Sequence, residues 1–169
     1  MNAYNKIKTF INDNKDKKIA MFVDMDGTIA SLDVDINGDI GSNKPGIFLD
    51  KRPLKTVINM LEEISNIENV DLYILSACGY KAQAEDKRTW LAKHAPFFEK
   101  EKQIFVVKEI ENYTKETKPK IKTGYILDTL QIKGYDLAIY YEDELSMLKK
   151  AYDELKDKIL LIHISEFID

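Results

Sequence analysis

Two aspartates one residue apart, Asp24 and Asp26, are the residues of this chain best suited to chemistry, and they lie in the segment DMDGT. They directly follow KIAMFV, an apolar run typical of a buried strand. Because Gly27 ends that strand, both carboxylates are expected at its carboxyl end, where open α/β sheets bind ligands. Crowded carboxylates repel each other unless a cation neutralises them, and Mg²⁺ prefers oxygen ligands. One carboxylate can then attack phosphorus while the other transfers a proton.

Further polar residues are expected at the same edge of the sheet. Ser76 ends the apolar run LYILS, and a hydroxyl beside exposed amides can bind a phosphate oxygen. Glu142 and Asp143 follow the run LAIYY and can complete a metal site. Purely structural roles are the alternative for two of these residues. Ser76 can simply end a strand, and Asp143 can cap the following helix.

At these residues the chain resembles the haloacid dehalogenase (HAD) superfamily of phosphohydrolases. The resemblance implies that Asp24 is the nucleophile that becomes phosphorylated and that Asp26 is the general acid/base. The metal ligands that it implies for Mg²⁺ are Asp24, Asp26, Glu142 and Asp143, with Asp26 acting through its backbone carbonyl. Family members often carry Asp-Asp at the last two positions, so it stays open whether Glu142 or Asp143 contacts the metal directly.

The resemblance also implies residues that bind phosphate. These are Thr28, Ser76 and a lysine near the start of the helix before the fourth strand. Lys122 fits best by its distance from the acidic pair and by the helical pattern that follows it, and Lys120 is the alternative. In the helix after Ser76, Lys87 and Arg88 are predicted to form a solvated face, while the neighbouring Trp90 and Leu91 anchor that helix in the core.

Strands and helices alternate along the chain, which predicts an α/β fold with a parallel sheet covered on both faces. Apolar runs predict strands over 19–23, 70–75, 104–107, 137–141 and 159–164. Helical spacing predicts helices over about 3–12, 53–66, 80–94, 122–133 and 143–156. Five strands in this arrangement match a three-layer Rossmann-like core of the HAD type.

Residues 29–51 break the alternation, because they are rich in Asp, Asn, Gly and Pro and lack helical periodicity. In HAD proteins a flap or cap domain is inserted here, and about twenty residues suffice only for a flap. We therefore expect one domain over 1–169 with a minimal cap. A calcium loop is the alternative, but Lys44 stands at the twelfth position from Asp33, where an EF-hand needs glutamate.

The composition limits the class of protein. A chain of 169 residues with 44% hydrophobic residues and a net charge of −4 is typical of a single globular domain with no general attraction to nucleic acid or anionic membrane. A local basic patch remains possible. One cysteine, no long apolar run and a polar amino-terminal segment predict a cytoplasmic protein without a membrane partner or a stable nucleic-acid partner.

The layout of several short motifs resembles the 5'(3')-deoxyribonucleotidase branch of the superfamily. The motifs are PGIF at 45–48, RPL at 52–54, ILSA at 74–77 and DKRTWL at 86–91. This implies a small phosphorylated substrate such as a nucleotide. The alternatives are a polynucleotide 3'-phosphatase, whose arginine two residues after the serine is replaced here by Cys78, and a phosphate-binding protein without turnover.

Overall fold

A computed structural model describes residues 2–32 and 46–167, which form an α/β fold around one five-stranded parallel sheet. The strands are β1 (Ile19–Val23), β2 (Val70–Cys78), β3 (Gln103–Val107), β4 (Leu137–Glu142) and β5 (Ile159–His163). The α-helices in the described residues are α1 (Ala3–Asp13), α2 (Lys55–Ser65), α3 (Lys81–His94), α4 (Lys108–Glu111), α5 (Lys118–Lys133) and α6 (Leu145–Leu155). The predicted class and the parallel sheet are confirmed.

Helices cover both faces of the sheet, so the described residues form three layers. In β1, Ile19, Met21 and Val23 belong to a core cluster shared with α1, α2 and α3. The alternate residues Ala20 and Phe22 belong to a second cluster shared with α5 and α6. Because successive side chains point to opposite faces, both sets must be apolar, and this explains the unbroken apolar run of β1.

The strand order β3-β2-β1-β4-β5 places β1 between β2 and β4. Val23 pairs with Ile74 of β2 and with Tyr141 of β4, so β1 and β4 end side by side at the carboxyl edge, while β2 continues beyond them. From β1 the chain first builds one side of the sheet and then crosses to the other. Ligands of open α/β sheets bind in the crevice that such a reversal creates.

Two predicted boundaries were wrong by more than two residues. Helix α5 begins at Lys118, four residues before the predicted start, with Pro119 in its first turn, where the missing N–H costs no hydrogen bond. Strand β2 continues to Cys78, since residues 74–78 pair with β3. Ser76 therefore lies inside the strand and not at its end.

The described ends of the segment 29–51 lie against each other. The Ser31 amide donates to the Arg52 carbonyl at 2.9 Å, and the Leu54 amide donates to the Ile29 carbonyl at 2.8 Å. A short 3₁₀ turn covers Ile47–Asp50. The predicted flap and the alternative calcium loop fall mainly on residues 33–45, outside the described residues.

Within residues 2–32 and 46–167, no helix has both the length and the apolar character needed to cross a bilayer.

Candidate active site

Lys122 joins the ends of β1 and β4. Its Nζ lies 3.0 Å from Asp24 Oδ1 and 2.5 Å from Glu142 Oε2, and the residue is only 2% exposed. The Asp24 amide donates to the Tyr141 carbonyl at 3.0 Å, which fixes its backbone against β4. One buried cation thus lies between two buried carboxylates, an arrangement that neutralises part of their charge.

The Glu142 carboxylate is held on both oxygens. Oε2 accepts from the Tyr140 hydroxyl at 2.6 Å as well as from Lys122. Oε1 accepts from the amides of Asp143 and Glu144 at 3.2 and 3.3 Å. Burial raises the pKa of Glu142, but the charge of Lys122 and these hydrogen bonds outweigh it and lower the pKa. Glu142 therefore stays ionised.

Asp24, Glu142 and Asp143 form an acidic cluster whose carboxylate oxygens lie within 4.8 Å of one another. Among the described residues, no lysine, arginine or histidine forms an ion pair with Asp143. Gly27 makes room for Asp143, because a Cβ at Gly27 would lie 2.6 Å from Asp143 Oδ2. Gly27 also has a φ of +72°, which favours glycine.

The acidic cluster carries more negative charge than Lys122 balances. Burial, then the charge of Glu142, raise the pKa of Asp24 to about 6 against the opposing effect of Lys122. Burial, then interactions with Glu142 and Asp24, raise the pKa of Asp143 to about 8. A cation bound here would relieve this repulsion.

Asp26 is set apart from the acidic cluster because two lysines hold its carboxylate. Lys51 Nζ lies 2.6 Å from Oδ1, and Lys87 Nζ lies 2.5 Å from Oδ2. Burial alone would raise the pKa of Asp26, but Lys87 and then Lys51 outweigh it and lower the pKa. The Asp26 side chain is 34% exposed and lines the cavity at this edge of the sheet.

The prediction that Lys87 belongs to a solvated face was wrong, since Lys87 is 0% exposed. Besides Asp26, its Nζ donates to Ser76 Oγ at 2.9 Å and to the Ala77 carbonyl at 2.8 Å. The spacing could have revealed this, because Ala84, Lys87 and Leu91 recur at three and four residues and so share the buried face of α3. As predicted, Leu91 and its neighbour Trp90 lie in the core.

Lys51 was also missed, and no local sequence signal marks it. The indole Nε1 of Trp90 donates to the Lys51 carbonyl at 2.8 Å and holds that backbone in place. The Phe48 ring lies 5.1 Å from Lys51 Nζ and 5.0 Å from Lys87 Nζ, and a cation over a ring face is stabilised. Both lysines are thus positioned by contacts between distant parts of the chain.

The remaining predicted phosphate ligands lie nearby but not in the open part of the site. Thr28 is fully buried, and its Oγ1 has no hydrogen-bond partner in the described part of the chain. Ser76 is also buried, with its hydroxyl engaged by Lys87. Lys120 is exposed and does not line the cavity, whereas Lys122 does.

A cavity of about 530 Å³ opens at the carboxyl edge of the sheet. Asp24, Asp26, Lys122 and Asp143 all line it. Its apolar lining residues include Leu32, Ile47 and Phe48. A volume of this size suits a small organic molecule, and the mixture of charged and apolar surface suits a ligand with a charged group on an organic body.

No family model matches the chain, and no curated protein matches it. The grouping of Asp24, Lys122, Glu142 and Asp143 where β1 and β4 end is therefore the observation from which a function can be inferred.

Proposed function

We propose that the chain is a Mg²⁺-dependent phosphomonoester hydrolase of the HAD type, and that it works through an aspartyl-phosphate. One observation carries the proposal: the Asp24 carboxylate lies 3.0 Å from Lys122 Nζ, belongs to the acidic cluster and lines the same cavity as Asp26. A nucleophile, a neutralising cation and a second carboxylate for proton transfer are what such a reaction needs.

In the first step, an oxygen of Asp24 attacks phosphorus and the bond to the leaving oxygen breaks. Lys122 stabilises the charge on Asp24 and on the phosphoryl group, and Asp26 protonates the leaving oxygen. Because Lys51 and Lys87 keep Asp26 ionised at rest, it must first take up a proton, and a phosphate ester that binds as its monoanion carries one.

In the second step, Asp26 acts as a base. It accepts a proton from water, whose oxygen attacks phosphorus and releases inorganic phosphate from Asp24. The lowered pKa of Asp26 suits this role, since the protein supplies a carboxylate that is ready to accept a proton near neutral pH. Lys87 and Lys51 hold the carboxylate in one orientation throughout.

Magnesium fits the donor set, because three carboxylates with close oxygens offer hard ligands, and the raised pKa values of Asp24 and Asp143 show that these two lack a full counter-charge. We assign direct ligation to Asp24, Asp143 and the Asp26 carbonyl. Glu142 acts indirectly, since Lys122, Tyr140 and two amides already occupy its oxygens. When bound, the ion supplies further neutralisation of the phosphate charge.

The same reaction also assigns the substrate class and the roles of Ser76 and Thr28. The substrate is a nucleotide or a phosphate ester of similar size, as the cavity volume of about 530 Å³ allows. Ser76 supports phosphate binding indirectly, because it accepts a hydrogen bond from Lys87, which also holds Asp26. Thr28 is fully buried and does not line the cavity, so we assign it no direct contact with phosphate.

Release of phosphate from p-nitrophenyl phosphate tests the proposal, measured with Mg²⁺ and with a chelator. We expect turnover only with Mg²⁺, and a loss of at least about 10³-fold in Asp24→Asn, because amide nitrogen and oxygen cannot replace the nucleophilic carboxylate. Asp128→Asn on the exposed side of α5 is the matched control and keeps the wild-type rate. Equal rates in Asp24→Asn and wild type would refute the assignment, and binding without any turnover would favour the non-catalytic alternative.

A further inference from the structure

The cavity beside Asp24 has a basic side that the mechanism does not use. Lys108, Lys115 and Lys118 line it together with Tyr113, and all four belong to residues 108–118, called here the basic segment. This segment runs from the start of α4 to the start of α5. The chain as a whole has a net charge of −4, so three lysines on one part of the cavity are a local departure from its acidic character.

The basic segment is fixed against the loop that follows β2. The Tyr113 hydroxyl donates to the Cys78 carbonyl at 3.1 Å, and the Glu109 amide donates to the Gly79 carbonyl at 3.1 Å. The Lys81 amide donates in turn to Glu109 Oε2 at 3.3 Å. The lysines of this segment are therefore carried by a backbone that is held at a defined place beside the active site.

The ion pairs of the cavity leave two of its lysines without a carboxylate. Lys118 Nζ lies 2.6 Å from Glu144 Oε1, while Lys51 and Lys122 are paired with the aspartates described above. No carboxylate of residues 2–32 and 46–167 forms an ion pair with Lys108 or Lys115. Both lysines line the cavity and neither forms an ion pair in the described part of the chain, which favours an anion there.

We propose that the substrate of this site carries a second phosphate group, which Lys108 and Lys115 bind while Asp24 attacks the first. The inference rests on the proposed phosphatase function and names its substrate class. A cavity of about 530 Å³ limits the substrate to a small molecule, and Leu32, Ile47 and Phe48 offer apolar contact to the body that joins the two phosphates. A nucleoside 3',5'-bisphosphate has these features.

The experiment compares kcat/KM for p-nitrophenyl phosphate, a nucleoside 5'-monophosphate, the 3',5'-bisphosphate of the same nucleoside and a 3'-phosphorylated oligonucleotide. We expect the bisphosphate to exceed the monophosphate by at least about tenfold, mainly through a lower KM, because the second phosphate adds binding energy that does not change during the reaction. The preference should fall as salt rises, since both lysines are exposed to solvent.

A double variant locates the preference. In Lys108→Gln/Lys115→Gln, the ratio of kcat/KM between bisphosphate and monophosphate should fall close to one. The control, Lys93→Gln/Lys133→Gln, removes two exposed lysines outside the cavity and should keep the wild-type ratio.

The outcomes separate this inference from the proposed function. Hydrolysis of p-nitrophenyl phosphate with equal kcat/KM for monophosphate and bisphosphate overturns the second-phosphate site alone. So does a preference that survives the double variant. A higher kcat/KM for the oligonucleotide overturns the small-molecule assignment and points to a polymer as the source of the second phosphate. No hydrolysis of any substrate overturns the phosphatase function, and this inference with it.

Discussion

Lys87 Nζ lies 2.5 Å from Asp26 Oδ2 inside the protein, so a fully buried lysine of α3 holds a carboxylate on the loop after β1. The same nitrogen donates to Ser76 Oγ of β2. Lys87 thus connects three elements beneath the cavity, and it forms a buried charge that is stable only because its partners surround it. We expect the orientation and the ionisation of Asp26 to depend on it.

Replacing Lys87 by Met tests this dependence. The variant leaves Ser76 Oγ and the Ala77 carbonyl without a donor, so the free energy of unfolding should fall by about 1–3 kcal/mol. For a chain of this length, each kcal/mol lowers Tm by roughly 2–4 °C. With one of its two cations gone, Asp26 should titrate at a higher pH, which moves the acidic limb of the pH–rate profile upwards. Differential scanning calorimetry and the pH dependence of p-nitrophenyl phosphate turnover measure the two effects.

Lys93→Met is the control for this variant, because Lys93 lies in the same helix but is exposed. It should change neither Tm nor the pH profile appreciably. If Lys87→Met behaved like Lys93→Met in both measurements, the contacts of Lys87 with Asp26 and Ser76 would carry no weight in solution.

The sequence predicted the carboxylates of the site but not the cations that orient Asp26. Asp24, Glu142 and Asp143 each follow an apolar run, and parallel strands bring their carboxyl ends to one edge, so local patterns suffice to place them together. Lys51 and Lys87 reach Asp26 from 25 and 61 residues away in the chain. The spacing of Lys87 with Ala84 and Leu91 marks the buried face of α3, but no local pattern encodes the contact of either lysine with Asp26.

The position of Lys122 was predicted from its distance to the acidic pair, yet its bond to Glu142 was not. The four hydrogen bonds that Glu142 accepts explain why a glutamate can stand here: its extra methylene lets one carboxylate reach Lys122, Tyr140 and two backbone amides. Helix α5 starts earlier than predicted, with Pro119 in its first turn, where a proline is tolerated.

Gly27→Ala should damage the metal site while leaving the sheet intact. A Cβ at Gly27 meets Asp143 Oδ2 and Leu32 Cδ1, each at 2.6 Å, and a φ of +72° is strained for alanine. We expect unfolding free energy to fall by more than about 1 kcal/mol and Mg²⁺ affinity to fall with it, because Asp143 must move. Calorimetric titration with Mg²⁺ and thermal unfolding measure both.

Gly124→Ala is the matched control for that change. Gly124 lies in α5 at an ordinary φ, and a Cβ there meets no atom within 4 Å. Alanine should stabilise the protein by about 0.4–1 kcal/mol through the unfolded chain and leave Mg²⁺ affinity unchanged. Equal effects of the two replacements would mean that the close approach of Asp143 to Gly27 has no consequence.

Asp143→Asn and Glu142→Gln should separate metal ligation from structural support. Asp143 pairs with no lysine or arginine in the described part of the chain, so its loss should reduce Mg²⁺ affinity by at least about tenfold with little loss of stability. Glu142→Gln removes the charge that Lys122 faces and should lower Tm by several degrees. A larger loss of Mg²⁺ affinity in Glu142→Gln than in Asp143→Asn would reverse the assignment of the direct ligand.

Stabilisation by Mg²⁺ should grow as pH rises from about 5 to about 8.5. Without metal, the folded state raises the pKa of Asp24 to about 6 and that of Asp143 to about 8, both above the unfolded value of 3.8. These two groups therefore contribute stability that is present at low pH and is lost as pH rises through those values. Mg²⁺ binds the ionised carboxylates, so protons compete with it strongly at pH 5 and only weakly at pH 8.5. The measurement is the difference between the Tm with Mg²⁺ and the Tm without it, taken across this pH range. In Asp143→Asn, this difference should no longer increase above pH 7. A difference that stays constant with pH would show that neither carboxylate exchanges its proton for the metal.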